Sequence, residues 1–255
     1  MPVFTAPDGV SLSYEVWPGT SELPLVLLHH GFIADGESNW VAPGIVAALT
    51  AAGRRVATID ARGHGRSDKP HDPARYGEAR MAEDVRALVD LLGEASYDLA
   101  GYSMGAIVSL LTAVRDPRVR RLVVGGVGAA VVELGGVDTR AVGRPALLHA
   151  LGTDDPATVT DPAAAGFRAF VDAVGGDRKA LAAQVSAAHD RPIPLDTVKA
   201  PTLVLAGRDD PLAVRPQTLA DALPDARLRL VPGDHMQAVR DPAFRDELVR
   251  FLGTG

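Results

Sequence analysis

Gly101-Tyr102-Ser103-Met104-Gly105 joins two unlike apolar segments, and the reading of this joint decides the fold. Before it, Tyr97–Ala100 reads as a short buried strand. After it, Met104–Val114 has the length and apolar content of a helix packed on a sheet. The pentapeptide fits the pattern G-x-S-x-G. In a chain with 26 glycines such a match alone is weak, so the flanking strand and helix carry the weight. A serine on a sharp strand-to-helix turn has its hydroxyl lifted above the sheet, while the flanking glycines keep side chains out of the space where strand and helix nearly touch. The N–H groups that follow point the same way, at a helix N-terminus. Ser103 is therefore the candidate nucleophile, and Met104 N–H a candidate donor to a developing oxyanion.

Working outward, the same strand–helix alternation recurs. Val3–Ala6 and Val10–Val16 flank Asp8-Gly9 and predict a hairpin. Leu23–Leu28, Val56–Ile59, Val119–Val124, Thr202–Ala206 and Leu228–Val231 read as strands. Val41–Ala52, Met81–Leu92, Pro216–Leu223 and Pro242–Leu252 read as helices, the first two stopping at Gly53 and Gly93. Such alternation predicts an α/β fold, a mostly parallel, doubly wound sheet with helices on both faces. One stretch breaks the rhythm. Residues 128–197 contain no strand pattern and read as short helices, Arg144–Leu151, Ala163–Val174 and Asp177–His189. Structureless loops of this length are rare, so the stretch is expected to form a small helical cap over the strand ends. Residues 1–127 and 198–255 would then make the core domain.

Composition narrows the function. With 47% hydrophobic residues in 255, a sizeable core can form. The net charge of −6 provides no basic field for nucleic acid and no polybasic membrane patch. The absence of cysteine excludes disulfides, thiolate zinc sites and a cysteine nucleophile. Apolar runs fall short of a membrane span, and Met1-Pro2-Val3-Phe4 lacks the features of a signal peptide, so the expectation is a cytoplasmic protein acting on a small molecule. No metal-ligand spacing is visible, and no metal or organic cofactor is expected. Oligomeric state cannot be read.

A serine nucleophile needs an oxyanion site, a base and an acid. Leu23–Leu28 leads into His30-Gly31-Phe32, where Gly31 permits close backbone approach and Phe32 N–H is the candidate second donor, although the same residues could simply start a loop. Thr202–Ala206 runs into Gly207-Arg208-Asp209-Asp210-Pro211, and Leu228–Val231 into Pro232-Gly233-Asp234-His235. Both follow strands, as a site built at strand ends requires. Of the seven histidines only His235 stands after a later strand in the order Ser…Asp…His. On spacing alone Asp209 and Asp210 compete for the acid, one of them free to cap the turn near Pro211. Asp234, adjacent to His235, can hardly reach its Nδ1.

Together these stretches resemble the α/β-hydrolase superfamily across nearly the whole chain. The matches are His30-Gly31-Phe32, Asp60-Ala61-Arg62-Gly63-His64-Gly65-Arg66-Ser67, the Ser103 turn, Gly207-Arg208-Asp209-Asp210 and Gly233-Asp234-His235. The stretch from Asp60 to Ser67 is similar to the family's D-x-R-G-x-G-x-S loop, for which the resemblance implies a structural role beside the oxyanion loop. The family's G-x-x-D turn implies Asp210 as the acid. The doubled His29-His30 departs from the usual single histidine. Serine at 103 sets aside the relatives that carry aspartate there.

The resemblance implies hydrolysis of an ester-type bond by Ser103, His235 and Asp210, with an acyl-enzyme intermediate and an oxyanion hole made by the N–H groups of Phe32 and Met104. The serine esterase and haloperoxidase-like branches are the nearest in pattern. A cofactor-free C–C bond hydrolase, lyase or perhydrolase would use the same residues, and ester turnover separates these readings. A non-catalytic receptor on this fold would be marked by a broken triad. Residues 128–197 are rich in Ala, Val and Leu, with Phe167 and Phe170 their only aromatics, which fits a small-to-medium, largely apolar substrate.

Overall fold

Gly9 adopts φ +89° and lets the chain turn back, pairing β1 (Val3–Thr5) antiparallel with β2 (Ser11–Trp17), Phe4 opposite Leu12. From this hairpin a computed structural model, describing residues 1–20 and 22–253, builds one eight-stranded sheet. The remaining strands are β3 (Leu25–His29), β4 (Val56–Ile59), β5 (Tyr97–Tyr102), β6 (Val119–Gly125), β7 (Thr202–Gly207) and β8 (Ala226–Val231), in the spatial order β1-β2-β4-β3-β5-β6-β7-β8. All pairs from β4 to β8 are parallel, and β2 meets β4 antiparallel.

The chain first steps from β3 outward to β4, then returns to place β5 on the other side of β3. Strand order therefore reverses between β3 and β5, where the crossovers diverge and leave a crevice at the strand ends. His29 at the end of β3 is opposite Gly101 of β5, so the loop beginning at His30 and the Ser103 turn emerge side by side in that crevice.

β3 shows why these strands are continuously apolar. Leu25 and Leu27 enter a core cluster with Met81, Val85 and Leu88 of α2 (Glu78–Leu91) and Ile107 and Leu110 of α3 (Met104–Arg115). Val26 and Leu28 enter the opposite cluster, with Ile45 and Leu49 of α1 (Ile45–Ala51) and Phe244, Leu248 and Leu252 of the C-terminal helix Pro242–Gly253. Both faces are covered, and period-two alternation sends successive apolar side chains to different layers.

Several boundaries differ from the sequence reading. β3 starts at Leu25 because Pro24 has no N–H for the ladder. The helix expected over Val41–Ala52 is split into a π-helical turn, Glu37–Val41, and α1, parted at Pro43 and at Gly44 with φ +79°. α2 begins at Glu78 rather than Met81. Between β6 and β7 the described residues form no strand; they form α4 (Ala130–Glu133), α5 (Arg144–Gly152), α6 (Pro162–Val174) and α7 (Arg178–Ser186). α7 ends before His189, whose N–H is drawn to the Glu78 carboxylate at 2.7 Å instead of a helical carbonyl. The next helix, α8, spans Pro216–Asp221, and the C-terminal helix is α9. Among the described residues no helix is long and apolar enough to cross a membrane.

Candidate active site

Ser103 caps α3 with φ 54° and ψ −116°, a backbone conformation that non-glycine residues adopt only under constraint from their surroundings. The constraint is steric. A Cβ on Gly105 would lie 2.2 Å from His29 O, and one on Gly101 would lie 2.0 Å from Gly105 O. Strand and helix thus approach to a distance that only glycine allows. Met104 follows at the first position of α3, where N–H groups have no intrahelical acceptor.

The loop after β3 lies against this turn: a Cβ on Gly31 would come within 3.3 Å of Ser103 Cβ. Three side chains hold it. Asn39, buried in the π-helical turn, accepts the Gly31 N–H at Oδ1 (3.0 Å). His30 Nε2 accepts the Ala61 N–H at 2.9 Å, so the proton must be on Nδ1, which donates to Gly31 O at 2.7 Å. Asp60 accepts from Gly36 N–H and Arg66 N–H, each at 2.9 Å. The D-x-R-G-x-G-x-S stretch thus clamps the loop from behind. Arg62 is fixed in turn by a two-pronged contact to Asp84 of α2 (2.8 and 2.6 Å), and Ser67 Oγ donates to Asp60 O while accepting from Ser13 N–H at 2.8 Å. Phe32 is half-buried beside Ser103. Ile33 takes φ +67°, rare for a β-branched residue, and packs with Leu151, Val171, Leu181 and Val185 of the helical insertion.

His235 Nδ1 lies 2.9 Å from Asp210 Oδ2 and 3.0 Å from its Oδ1. The Asp210 side chain is fully buried and that of His235 is 15% exposed, so one edge of the imidazole stays reachable. Asp210 also accepts the Leu212 N–H at 2.8 Å. The division of labour expected between the two aspartates is thereby corrected: Asp210 both caps the turn and meets His235, while Asp209 is exposed. Asp234 accepts the N–H groups of Met236 and Gln237 at 2.9 Å, which turns it away from the ring. Tyr102, a variable position of the motif and so without a signal in the pattern, donates its hydroxyl to His235 O at 2.7 Å and tethers the histidine loop to the serine turn. Asn39 and Ile33 are equally unsignalled: the first acts through a side-chain bond to a backbone N–H, the second through a backbone torsion, and neither belongs to a motif. Among the described residues no cluster of three His, Asp or Glu is arranged to hold a metal ion.

Ser103, Met104, Phe32 and His235 line one cavity of about 150 Å³, whose walls include Ile33, Leu147, Phe167, Phe170 and Val185. The same cavity is lined by Glu78, whose carboxyl burial pushes upward, bonded to Gln184 Nε2 at 3.2 Å.

Behind the loop after β3, His29, His30 and His64 are buried together, with ring centroids 5.5 Å apart for the first pair and 5.2 Å for the second. Burial pulls their pKa values down to about 3, about 4 and about 4. All three therefore fold neutral, whereas an unfolded chain protonates them near 6.5. Stability should be full above pH 6.5 and decline as pH falls from there toward 4, by about 2.5 kcal/mol for each histidine at pH 4.5. Urea unfolding at pH 7 and pH 4.5 measures this. His64→Gln should shrink the difference, and a pH-independent midpoint would contradict the linkage.

A parallel sheet reversing its strand order between β3 and β5, with a strained serine turn at that point, defines an α/β hydrolase, and the chain belongs to that family. A profile of the alpha/beta hydrolase fold matches residues 24–133. The chain is 30% identical to the putative carbamate hydrolase RutD of Variovorax paradoxus, over 90% of this chain and 96% of that protein. It is 39% identical to the sn-1-specific diacylglycerol lipase ABHD11 of Mus musculus over 44% of this chain, which spans only 36% of the mouse protein. Among solved structures, a hydrolase from Pseudomonas aeruginosa is 30% identical with a TM-score of 0.75, covering 99% of this chain and 98% of that one.

Proposed function

We propose that the protein is a serine hydrolase that cleaves a carboxylic ester, or a related acyl bond, of a small-to-medium and largely apolar substrate. The observation that carries this reading is the pairing of the His235 imidazole with the buried Asp210 carboxylate in a cavity that also holds the strained Ser103 turn. Asp210 accepts the Nδ1 proton, which leaves Nε2 as the basic edge of the ring. Nε2 takes the Ser103 proton as Oγ attacks the carbonyl carbon. The oxygen that becomes negative is received by the N–H groups of Phe32 and Met104. His235 then protonates the leaving group, and water, activated by the same ring, releases the acid from the acyl-enzyme. Residues 128–197 act as a cap, a reading supported by Leu147, Phe167, Phe170 and Val185 sharing the cavity with Ser103. The similarity to a protein named as a putative carbamate hydrolase adds carbamates to the acyl bonds worth assaying.

A fluorophosphonate probe should label the protein at Ser103, and p-nitrophenyl esters of short to medium acyl chains should be turned over readily. Labelling elsewhere, or none, would overturn the serine reading. Labelling at Ser103 with feeble turnover of every ester would shift the assignment to C–C bond cleavage by the same residues.

A further inference from the structure

A second, smaller cavity of about 60 Å³ meets the first at Ser103 and His235. The two differ in chemistry. The larger is walled mainly by apolar side chains and also carries Glu78, Asp138 and Arg144, with Thr139 and Gln184. The smaller is lined by no acidic residue and by one cation, Arg240, together with Ser38 and Asn39. Arg240 is exposed, and among the described residues its guanidinium has neither an ion pair nor a side-chain hydrogen bond. The neighbouring carboxylates are engaged elsewhere: Asp241 accepts Ala243 N–H at 2.8 Å, Asp234 accepts two backbone N–H groups, and Asp35 accepts the Ser38 hydroxyl at 2.6 Å. Asn39 is the other polar feature. Its Oδ1 is committed to Gly31 N–H, so the amide orientation is fixed and Nδ2 is left as a buried donor with no partner among the described residues.

We propose that this smaller cavity is the leaving-group subsite and that it selects esters whose alcohol half carries a carboxylate, with Arg240 as the specificity-determining charge. The proposal rests on the serine-hydrolase reading given above. Val239 and Arg240, in the 3₁₀ turn Ala238–Arg240 on the segment that follows His235, line the smaller cavity and not the larger. The departing alkoxide must take its proton from His235 as the ester C–O bond breaks, so it leaves toward that segment. The apolar acyl half is held on Ser103 facing the larger cavity, and the freed hydroxy acid diffuses out past Arg240. An exposed guanidinium gives a modest and salt-sensitive preference, strengthened when the carboxylate accepts a charge-assisted hydrogen bond.

The test compares two butyrate esters with the same acyl group and chain length, one of glycolic acid and one of glycolamide. They differ only in a carboxylate against a neutral amide. At low ionic strength the wild type should favour the glycolate ester by about tenfold in kcat/KM. That ratio should shrink in roughly 0.5 M salt, fall to about one in Arg240→Gln, and be restored in part in Arg240→Lys. A wild-type ratio of one or below, or a preference that survives Arg240→Gln, overturns the subsite. Fluorophosphonate labelling of the same samples separates a missing subsite from a missing nucleophile. Labelled Ser103 without carboxylate preference removes the subsite alone, and unlabelled Ser103 removes both.

Discussion

Replacing Ser103 by Ala should lower kcat by about 10⁵- to 10⁶-fold, as removal of a nucleophile from a cooperating triad does. The size of the effect follows from the geometry of the turn. Ser103 stands at the joint of β5 and α3, held at φ 54° by glycines whose replacement would drive a Cβ to within 2.0–2.2 Å of backbone oxygens. Two nearby hydroxyls are already engaged: that of Ser38, in the π-helical turn, donates to Asp35, and that of Tyr102 donates to His235 O. The variant should keep the wild-type fold by circular dichroism, since the substitution removes one oxygen from a site that already tolerates a Cβ. Retention of more than about one per cent of activity, measured on the best ester found, would show that another group performs the attack.

Asp210→Asn should cost about 10⁴ in kcat, the loss expected when a neutral amide replaces the carboxylate that fixes the histidine tautomer. The Asp210 side chain is fully buried, with both oxygens within 3.0 Å of His235 Nδ1. Asparagine at this position can retain the acceptor for Leu212 N–H, so the turn should survive while the charge is lost. Asp209→Asn should change kcat by less than about tenfold, because that side chain is exposed and caps nothing. Steady-state kinetics on the two variants, with a thermal melt on each, make the comparison. A crippled Asp209→Asn beside an active Asp210→Asn would place the functional carboxylate one residue earlier than the hydrogen bonds do.

How much of this is legible in the sequence depends on what kind of constraint each residue answers to. The strand–helix alternation is readable because burial on both faces imposes continuous apolar runs, and β3 shows its residues divided between two cores as that logic requires. The pairing of His235 with a carboxylate is readable because few residue types do this chemistry and the fold constrains their order. The choice between Asp209 and Asp210 is not open to spacing, since both stand on one turn; the family pattern points to Asp210, and that is the carboxylate bonded to His235. The split of the expected Val41–Ala52 helix is foreshadowed by Pro43-Gly44, which hydrophobic periodicity outweighs. Asn39, Tyr102 and Ile33 leave no trace because their roles depend on tertiary approach. Asn39 reaches a backbone N–H eight residues back, and Tyr102 reaches a carbonyl far along the chain. The structural role of His30 is hidden for the same reason: its acceptor nitrogen serves an N–H on the neighbouring strand's loop, at Ala61.

Ile33 couples the two halves of the molecule. A β-branched residue at φ +67° is held there at an energetic cost of about 1–3 kcal/mol, and its packing against Leu151, Val171, Leu181 and Val185 is what offsets that cost. Phe32, the residue immediately before it, carries the proposed oxyanion donor. A methyl group lost from any of these four side chains would therefore be felt next to Phe32, at a residue that none of them adjoins in sequence.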